Sequence, residues 1–410
     1  MSGFVLYDDA AARAFEPYAL TRPAGELLAG GALIRRRWEH LLGSKAGGFV
    51  SGAHLADFVE FDAPRASTGT IPAGTILVNA RCAPTLVTGS TTEAASDLVA
   101  AMWKSTGRWS CDGRVAAVRL KSALKVSALA DGTATLDTIE CKGVESDVGG
   151  WWLDQVWDLI RHLSPMLATD AIALAPRAAS APQSLEIIGD HQVHVDLGAT
   201  IDPMVLVDAT AGPVLVMRGA RIQAFTRLVG PCIVGEDATV AGGRIGDCSI
   251  GERAKVHGEL VVSIVIGHAN KGHDGFVGHS IIGRWANLGA GTITSNLKNS
   301  YGPVSLWTPR GIEETGLQFL GALIGDHVKT GIGTRLTTGC VVGAGANVFG
   351  SAIVPKAVAP FAWGEAPTFD TFALDKFLEV AERVMARRAV KLTDEMRGQL
   401  TAAHAARWSP

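Results

Sequence analysis

The sequence predicts an α/β domain, then a coil of short parallel strands (a parallel β-helix of hexapeptide repeats), then C-terminal helices. Three observations lead to this prediction. Strand-like and helix-like runs alternate up to about residue 185, apolar residues recur at every sixth position from about residue 200, and the C-terminal tail carries an apolar stripe at helical spacing. We therefore expect domains at residues 1–184, 185–364 and 365–410.

The first domain is predicted from alternating elements. The runs "GFVLYDD" and "GTILVNA" are typical of buried strands, and "WWLDQVWDLIRHLSPML" predicts a helix. A second amphipathic helix is predicted from Leu27, Leu28, Ile34, Trp38, Leu41 and Leu42. Such alternation favours a compact α/β domain. The segment "APRAASAPQS" has the composition of a linker.

A six-residue period dominates the second domain. Apolar residues recur at every sixth position at Val216, Ile222, Leu228, Val234 and Val240. After a disturbed region the same spacing returns at Ile250 and Val256, at Ile282 and Leu288, and at Ile324, Leu336, Val342, Val348 and Val354, with Thr330 filling one missed step. Small or turn-forming residues follow, as in "VVGAGANVFG". Three hexads would make one turn, and turns would stack as parallel strands roughly 4.8 Å apart. The alternative is a β-sandwich with accidental spacing, which two in-phase series disfavour.

The C-terminal tail predicts one or two helices that cap or brace the coil. The stripe consists of Leu374, Phe377, Leu378, Ala381, Val384 and Met385, and no Pro or Gly interrupts it before Gly398. A coil with open ends exposes unpaired strand edges, which invite aggregation, so a covering element is expected.

Composition narrows the class of protein. The formal net charge is −3, from 37 basic and 40 acidic residues, which gives no electrostatic footprint for nucleic acid. The six cysteines are scattered without a CxxC pair, so we expect buried thiols in a reducing compartment. No signal-peptide pattern or long apolar run occurs. We expect a cytoplasmic protein that contacts neither membrane nor nucleic acid.

Three histidines, His268, His273 and His279, lie where the hexad spacing is disturbed. His273 is flanked by Lys271, Asp274 and glycines, and an imidazole suits a general base near neutral pH. The alternatives are plain surface residues, most of all for His268 and His279, or a zinc site. Zinc is disfavoured because no carboxylate or cysteine spacing completes a ligand set, so no metal site is predicted.

The first domain holds a second group of candidates. Arg22 precedes a helix that carries Arg35, Arg36 and Arg37, and Glu26 lies between them. Arginine forks suit phosphate or carboxylate recognition, although a solvated helix face is the alternative for the three-arginine run. Asn79 follows a predicted strand, where ligand crevices form in α/β domains. Arg22, Glu26 and Asn79 are therefore substrate-binding candidates.

Two stretches carry a family resemblance. The order "GE" at 258–259, "KGH" at 271–273 and "NLGAGTITSN" at 287–296, before renewed hexads, resembles the acetyltransferase half of the bifunctional N-acetylglucosamine-1-phosphate uridylyltransferase/glucosamine-1-phosphate acetyltransferases. The opening "YALTRPAGELLAGGALIRRRWE" resembles sugar nucleotidyltransferases of the glucose-1-phosphate thymidylyltransferase-like kind that carry such a coil. Together the matches span nearly the whole chain. The resemblance implies a nucleotidyltransferase-like first domain and a left-handed coil, since the periodicity leaves the hand open.

The resemblance also implies roles in acyl transfer. His273 matches the base that takes a proton from the sugar amine as it attacks the thioester of acetyl-CoA, and Glu259 matches the acid that orients that base. Asn287 matches a substrate contact and Asn296 a residue lining the reacting centre. Ala290 falls where the family's main chain meets the acyl group or cofactor. The resemblance further implies a homotrimer whose ligands lie between subunits.

The chain departs from the family at several of these places. The substrate tyrosine is Phe276 here, and two phosphate-binding lysines fall on Val261 and Gly302. Lys271 and Lys298 are the candidates to replace them, so the acceptor could differ from glucosamine 1-phosphate. The glycine-rich nucleotide loop is replaced by "DDAAARAFEPYAL", in which two aspartates would repel phosphate unless Mg²⁺ intervened. Mg²⁺ is thus expected only if the first domain is active.

Three functions follow as hypotheses. The first is acyl transfer from acetyl-CoA to an amino-sugar phosphate in the coil, with a divergent nucleotidyltransferase domain in front. The second is a sugar-1-phosphate nucleotidyltransferase that uses UTP or dTTP, with the coil as trimerisation scaffold. The third is an inactive trimer that binds nucleotide sugars. The expected partners in all three are a small sugar phosphate and a nucleotide.

Overall fold

The computed structural model describes residues 3–86, 93–141, 143–176 and 178–410. Within these ranges the chain divides into two compact units. The first comprises Met1–Phe15, Ala19–Asp158 and Thr393–Ala406, and the second Glu16–Tyr18, Leu159–Leu392 and Arg407–Pro410. The predicted domain ranges 1–184, 185–364 and 365–410 stay predictions.

A six-stranded mixed sheet forms the centre of the first unit. Its strands, in spatial order, are Val144–Asp147, Arg108–Cys111, Arg114–Arg119, Ile76–Asn79, Phe4–Tyr7 and Ala46–Val50. Phe4–Tyr7 pairs in parallel with both of its neighbours and is buried at every residue, as expected of a central strand. The two strands predicted in "GFVLYDD" and "GTILVNA" are thus confirmed, and they lie side by side.

Shorter elements complete the first unit. Its longer helices are Ile34–Leu42, Glu93–Lys104 and Asp394–Ala405. Its 3₁₀ turns are Ala12–Ala14, Ala24–Glu26, Ala53–Leu55, Val126–Leu129 and Leu136–Thr138. Two-residue strand pairs join Leu28–Ala29 with Ala32–Leu33, Thr70–Ile71 with Leu124–Lys125, and Cys82–Ala83 with Trp151–Trp152.

Two helix predictions in the first part of the chain need correction. The helix predicted from Leu27 begins only at Ile34, because Leu28–Ala29 and Ala32–Leu33 form a tight antiparallel pair. It buries Ile34, Trp38 and Leu41 and ends at the left-handed Gly43. In the second, "WWLDQVWDLIRHLSPML", the two tryptophans form a strand, and helices follow at Asp158–Arg161 and Leu163–Ala173.

A coil of parallel strands forms the second unit and confirms the predicted β-solenoid. One face is a nine-stranded parallel sheet of Val193–Val195, Val214–Val216, Cys232–Val234, Ser249–Ile250, Ile264–Val265, Ile281–Ile282, Leu323–Ile324, Val341–Val342 and Ala357–Val358. The other faces contain Glu186–Ile188, Thr200–Ile201, Leu206–Asp208, Arg221–Ile222, Thr226–Val229, Thr239–Gly246, Lys255–Val261, Asn270–Lys271, Phe276–Gly278, Ile293–Thr294, Lys329–Thr330, Arg335–Leu336, Asn347–Val348, Ile353–Val354, Ala362–Glu365 and Thr368–Thr371.

The predicted inward residues form the core of this coil. Every apolar member of the hexad series lies in one buried cluster, and Thr330 in the missed step is buried too. The linker segment 175–184 includes Arg177, which lies outside the described residues. The hand of the coil remains an expectation from the resemblance.

The disturbed spacing near residue 250 has a structural cause. Thr239–Gly246 pairs with Arg221–Ile222 through its first residues and with Thr226–Val229 through its last, so one strand runs along two faces. Lys255–Val261 does the same with Asn270–Lys271 and Phe276–Gly278. Because a glycine bend replaces a full corner, these turns are shorter than three hexads.

An insertion separates Ile282 from Leu323 in the coil. It contains an antiparallel hairpin of Ser305–Thr308 and Gly311–Glu314, and an isolated bridge between Leu297 and Phe319 closes its base. In the tail, helix Leu374–Ala386 buries Phe377, Ala381 and Met385 of the predicted stripe. The ring of Phe377 packs edge-on against Phe361 of the coil, with centroids 4.9 Å apart. This helix therefore packs on the coil as predicted.

Candidate functional site

In the first unit, an ion pair occupies the end of the central strand. The Asp9 carboxylate accepts bonds from Arg81, at 2.7 Å from Nη2, from Asn79 Nδ2 at 2.9 Å and from the Ala12 N–H at 3.0 Å. Burial favours a higher pKa for Asp9, but these bonds and the Arg81 charge hold its pKa below the usual range. The predicted substrate residue Asn79 is thus buried and engaged with Asp9.

Asp8 is buried one residue earlier on the same strand end. Its Oδ2 accepts from Ser51 Oγ at 2.6 Å and from the Ala24 N–H at 3.0 Å, whereas Oδ1 has no hydrogen-bond partner among the described residues. Burial raises the pKa of Asp8 to about 6. An internal carboxylate therefore takes backbone and hydroxyl donors at the strand end where the family's phosphate loop would lie.

These two aspartates do not fit a Mg²⁺ site. A magnesium ion needs several oxygens in octahedral geometry, but both oxygens of Asp9 and Asp8 Oδ2 already accept from N–H donors, which leaves Asp8 Oδ1 alone of these four oxygens. Across the described ranges, no cluster of three His, Cys, Asp or Glu side chains could hold a metal ion.

The arginine cluster is internal as well. Arg22 is 2% exposed and forms a two-pronged pair with Glu60, at 2.8 and 3.3 Å. Glu26 binds the equally buried Arg35 at 2.5 Å, and Arg37 donates to the carbonyls of Ala29 and Pro84. The solvated-face alternative is therefore wrong for Arg35 and Arg37. In this placement, Arg22 and Glu26 serve the packing of the first unit, and their substrate role stays a prediction.

In the coil, glycine bends place the predicted catalytic acid. Gly258 (φ +92°) and Gly275 (φ +133°) directly precede Glu259 and Phe276, which are opposite one another on neighbouring parallel strands. A Cβ at Gly258 would lie 3.0 Å from the carbonyl oxygen of Gly275. Glycine is therefore required where the strand turns toward these two side chains.

The predicted base His273 is exposed in the loop that ends at Gly275. Its imidazole has no hydrogen-bond partner among the residues that the structure describes. Glu259 does not contact it: its carboxylate lies 3.6 Å from Arg244 Nη1, while its backbone N–H donates to Gly275 O. The predicted Glu259–His273 pair is thus not formed here, and both roles stay predictions.

Lys271 occupies an unexpected position. It is opposite Val256, in an inward column of the coil, and is 1% exposed. Its Nζ donates to the backbone carbonyls of His257, at 3.2 Å, and of His273. Burial lowers its pKa to about 8. Lys271 therefore holds the His273 loop from inside, a placement that disfavours its predicted contact with substrate.

Ala290 presents a free backbone donor beside that loop. The neighbouring N–H groups of Gly289 and Gly291 donate to Thr330 and to Asp274 O, the latter at 3.0 Å. The Ala290 N–H itself donates to no acceptor within the described part of the chain. Because Gly291 binds the residue after His273, the free N–H and the exposed imidazole lie on adjacent turns of the coil.

The two predicted asparagines are half-buried on the same part of the coil. Asn287 Oδ1 accepts from Asn270 Nδ2 at 2.8 Å. Asn296 Nδ2 lies 2.9 Å from His279 Nδ1. Lys298 is half-buried two residues later. The pKa of Lys356 is lowered mainly by the burial of Lys356 itself and further by the charge of Lys298. Asn296 and Lys298 thus flank the base of the insertion.

Some functional candidates were missed or misjudged from the sequence. His257 binds Ala241 O through Nδ1 at 2.8 Å and Asp274 through Nε2 at 3.0 Å, beside His273. The hexad pattern gave no signal for this pair, because both partners lie in shortened turns. His268, expected at the surface, is 4% exposed and packs on Trp285 with centroids 4.6 Å apart. His279 is half-buried as well.

Two further findings concern the cysteines and the helices. The six cysteines form no disulfide, and all but Cys141 are buried. Among the described helices, none combines the length and apolar character that crossing a bilayer requires.

The chain is similar to known proteins in two respects, a family model and a set of curated bifunctional proteins. Residues 4–178 match the family model described as sugar nucleotidyl transferase. A bifunctional protein GlmU of Methanococcus vannielii is 41% identical over 80 residues, covering 20% of this chain and 19% of its own. A bifunctional sugar-1-phosphate nucleotidylyltransferase/acetyltransferase of Sulfurisphaera tokodaii is 37% identical over 82 residues, or 20% of each chain. The chain thus spans about a fifth of the length of these curated relatives.

Solved structures give a weaker likeness. A hexapeptide transferase family protein from Anaplasma phagocytophilum is 18% identical over 50% of this chain and 95% of its own, with a TM-score of 0.27. An Arabidopsis UDP-N-acetylglucosamine acyltransferase is 12% identical over 52% and 86%, with a TM-score of 0.30. Neither TM-score is high enough to assign a fold or a function from these structures. The family match and the curated relatives nevertheless confirm the predicted resemblance, and the family model and the Sulfurisphaera tokodaii protein are described as transferases.

Proposed function

We propose that the coil transfers an acyl group, with acetyl-CoA as the expected donor, to the amine of an amino-sugar phosphate. The observation that supports this most is that an exposed imidazole and a free backbone N–H lie on adjacent turns of the coil. Within residues 3–86, 93–141, 143–176 and 178–410, neither the His273 imidazole nor the Ala290 N–H has a hydrogen-bond partner, and the Gly291–Asp274 hydrogen bond of 3.0 Å joins their two turns. Adjacent strands of such a coil are only about 4.8 Å apart.

In this proposal each group has one task. The His273 imidazole accepts a proton from the sugar amine as its nitrogen attacks the thioester carbonyl carbon. The Ala290 N–H donates to the carbonyl oxygen as that oxygen becomes negative. Collapse of the tetrahedral adduct breaks the carbon–sulfur bond, and the imidazolium returns its proton to the departing thiolate. Glu259 would support His273 only after leaving Arg244, which a bound substrate anion could attract instead.

A homotrimer is part of the proposal. Large apolar side chains are exposed on the later turns of the coil, with Ile332 at 83%, Ile353 at 56% and Phe349 at 40% exposure. Such side chains are candidates for burial against a second copy of the chain. Light scattering on the purified protein tests this: a mass three times that of the chain supports the trimer, and a monomeric mass refutes it.

The second candidate function is nucleotidyl transfer by the first unit, which the family match over residues 4–178 favours. The geometry of its strand end argues against it. Asp9 is engaged by Arg81, Asn79 and the Ala12 N–H, and Asp8 Oδ2 by Ser51 and the Ala24 N–H, so the donors that the structure describes at this strand end are bound to carboxylates and not presented to a phosphate.

One set of assays separates these candidates. The purified protein is incubated with acetyl-CoA and glucosamine 1-phosphate while free thiol is measured, and with UTP or dTTP and N-acetylglucosamine 1-phosphate while pyrophosphate is measured. Thiol release that depends on the acceptor supports acyl transfer. Pyrophosphate release alone would assign the activity to the first unit and overturn the proposal. Ligand binding without either product would favour an inactive nucleotide-sugar-binding trimer.

A further inference from the structure

The backbone of His279 is held on both sides by neighbouring turns. His279 follows the strand Phe276–Gly278 and adopts a left-handed conformation, with φ +49°. Its N–H donates to Val261 O at 2.9 Å, and its carbonyl accepts from the Gly321 N–H at 2.8 Å. A non-glycine residue in this conformation is uncommon, and histidine is among the residue types that tolerate it. The ring therefore projects from a well-anchored backbone.

Two contacts then orient the imidazole. Its face stacks on Phe319, with ring centroids 5.3 Å apart and planes inclined by 23°. Its Nδ1 lies 2.9 Å from Asn296 Nδ2. Phe319 is part of the bridge with Leu297 that closes the base of the insertion. The ring is thus held between the base of the insertion and the amide of Asn296.

This contact determines where the protons lie. An amide nitrogen donates and cannot accept, so Nδ1 of His279 must be the acceptor and carry no proton. The neutral ring then carries its proton on Nε2. Burial lowers the pKa of His279 to about 4, which agrees with a ring that is neutral near pH 7.

The same contact orients the carboxamide of Asn296. Since its NH₂ group faces His279, its Oδ1 points away from the ring, and Oδ1 accepts no hydrogen bond from the part of the chain that the structure describes. A Cβ at Gly278 would lie 2.6 Å from both Asn296 Nδ2 and the Phe276 ring, so both groups rest against Gly278.

We infer that His279 is a positioning residue that presents the amide oxygen of Asn296 as a hydrogen-bond acceptor for the attacking N–H group of the acyl acceptor. The inference rests on the proposed acyl transfer and extends it to a residue that the family resemblance does not assign. Asn296 then aligns the amine and accepts one of its N–H groups while His273 removes another proton. The required acceptor is a primary amine, which keeps an N–H for Asn296 during attack.

Matched variants separate this role from packing. His279→Phe keeps an aromatic ring against Phe319 but removes Nδ1, whereas His279→Gln removes the ring but supplies a side-chain oxygen to accept from Asn296. We expect His279→Phe to lower kcat/KM for glucosamine 1-phosphate about 10-fold, with the KM for acetyl-CoA unchanged. We expect His279→Gln to recover activity to within about threefold. Equal losses in both variants, or a parallel change in the KM for acetyl-CoA, would overturn the inference.

A spectroscopic measurement decides the pairing without any activity. In ¹⁵N-histidine-labelled whole protein, His279 should show the Nε2–H tautomer at pH 7, and Asn296→Ala should increase the Nδ1–H form. An imidazolium or an Nδ1–H tautomer in the wild-type protein would overturn the inference. If the pairing is found but the wild-type protein releases no thiol from acetyl-CoA, the proposed function fails, and with it the assignment of the amine to Asn296.

Discussion

Arg81 Nη2 lies 2.7 Å from the Asp9 carboxylate at the end of the central strand of the first unit. Both charges are thereby neutralised within the protein, at the edge where an α/β domain most often binds its ligand. Asn79 and the Ala12 N–H complete the shell of donors around Asp9. The Asp9–Arg81 pair therefore stabilises the strand end, and removing the Asp9 carboxylate should lower the stability of the protein measurably.

Asp9→Ala should lower the free energy of unfolding by about 3 kcal/mol, because Arg81 would remain largely buried without its closest carboxylate. Urea unfolding followed by tryptophan fluorescence measures this change. Glu395→Ala is the matched control: its carboxylate pairs with Arg65 at 3.1 Å but is 59% exposed, so about 0.5 kcal/mol is expected. Equal effects in the two variants would contradict a structural role for the Asp9 pair.

Asp8 should make stability depend on pH in an unusual direction. Its pKa is about 6 in the folded chain, compared with 3.8 for an unperturbed carboxyl. Between these values the folded state binds more protons, so the free energy of unfolding should fall by about 2 to 3 kcal/mol as the pH rises from about 4 to about 6. Asp8→Asn should remove this decline, as measured by urea midpoints at several pH values. The exposed Asp57→Asn should leave it unchanged.

His273→Ala should lower acyl transfer roughly 100-fold or more, since a general base contributes at least that much. The measurement is thiol release from acetyl-CoA under saturating acceptor. His191→Ala provides the control, because His191 is also an exposed histidine of the coil. A loss of less than about twofold for His273→Ala would remove this residue from the catalytic assignment.

Lys298 and Lys271 should respond differently to substitution. Lys298→Ala should raise the KM for a phosphorylated acceptor about 10-fold and spare the KM for the unphosphorylated sugar, if it supplies charge to the phosphate. Lys271→Met should act mainly on stability, because its ammonium is buried on the carbonyls of His257 and His273. A phosphate-specific KM effect in Lys271→Met would reverse these two assignments.

Gly258→Ala should destabilise the coil by about 1 to 3 kcal/mol. Its φ of +92° is unfavourable for any residue with a side chain, and the added Cβ would lie 3.0 Å from Gly275 O. Thermal unfolding by calorimetry measures the loss. Gly302→Ala, where the nearest atom would be 3.9 Å away, should change stability by less than about 0.5 kcal/mol. A tolerant Gly258 would mean that the bend is not needed to place Glu259.

The coil was predictable because its signal is local and repeated. Val216, Val234 and Val342 follow one spacing, and a parallel stack converts that spacing directly into a buried column. The shortened turns were not predictable in the same way. The glycines of "AGGRIG" are visible in the sequence, but a bend that joins two faces is favourable only when turns above and below share it. The inward position of Lys271 was not predictable either, because it depends on two neighbouring turns. Its ammonium donates to the carbonyl of His273 in its own turn and to that of His257 in the turn before.

The candidate site was predictable only in its residue types. His273 and Ala290 lie on adjacent turns joined by the Gly291–Asp274 hydrogen bond, whereas Asn287 contacts Asn270 and Asn296 contacts His279, so the partners come from neighbouring turns. No local pattern links His279 with Asn296, or Glu259 with Arg244. In the first unit, the sequence predicts that Asp8 and Asp9 would repel phosphate, and this stays a prediction, whereas the side-chain donors that bind them come from Ser51, Asn79 and Arg81.

Helix Asp394–Ala405 belongs to the same compact unit as the central sheet of the N-terminal half. Gln399 Nε2 donates to Thr21 O at 2.8 Å, and Gln399 Oε1 accepts from the Val59 N–H. The segment that completes this unit is therefore synthesised only after the whole coil. During synthesis the first unit therefore stays incomplete while the whole coil is made. A chain that stops before Gln399 would lack the hydrogen bonds to Thr21 and Val59 that this helix supplies.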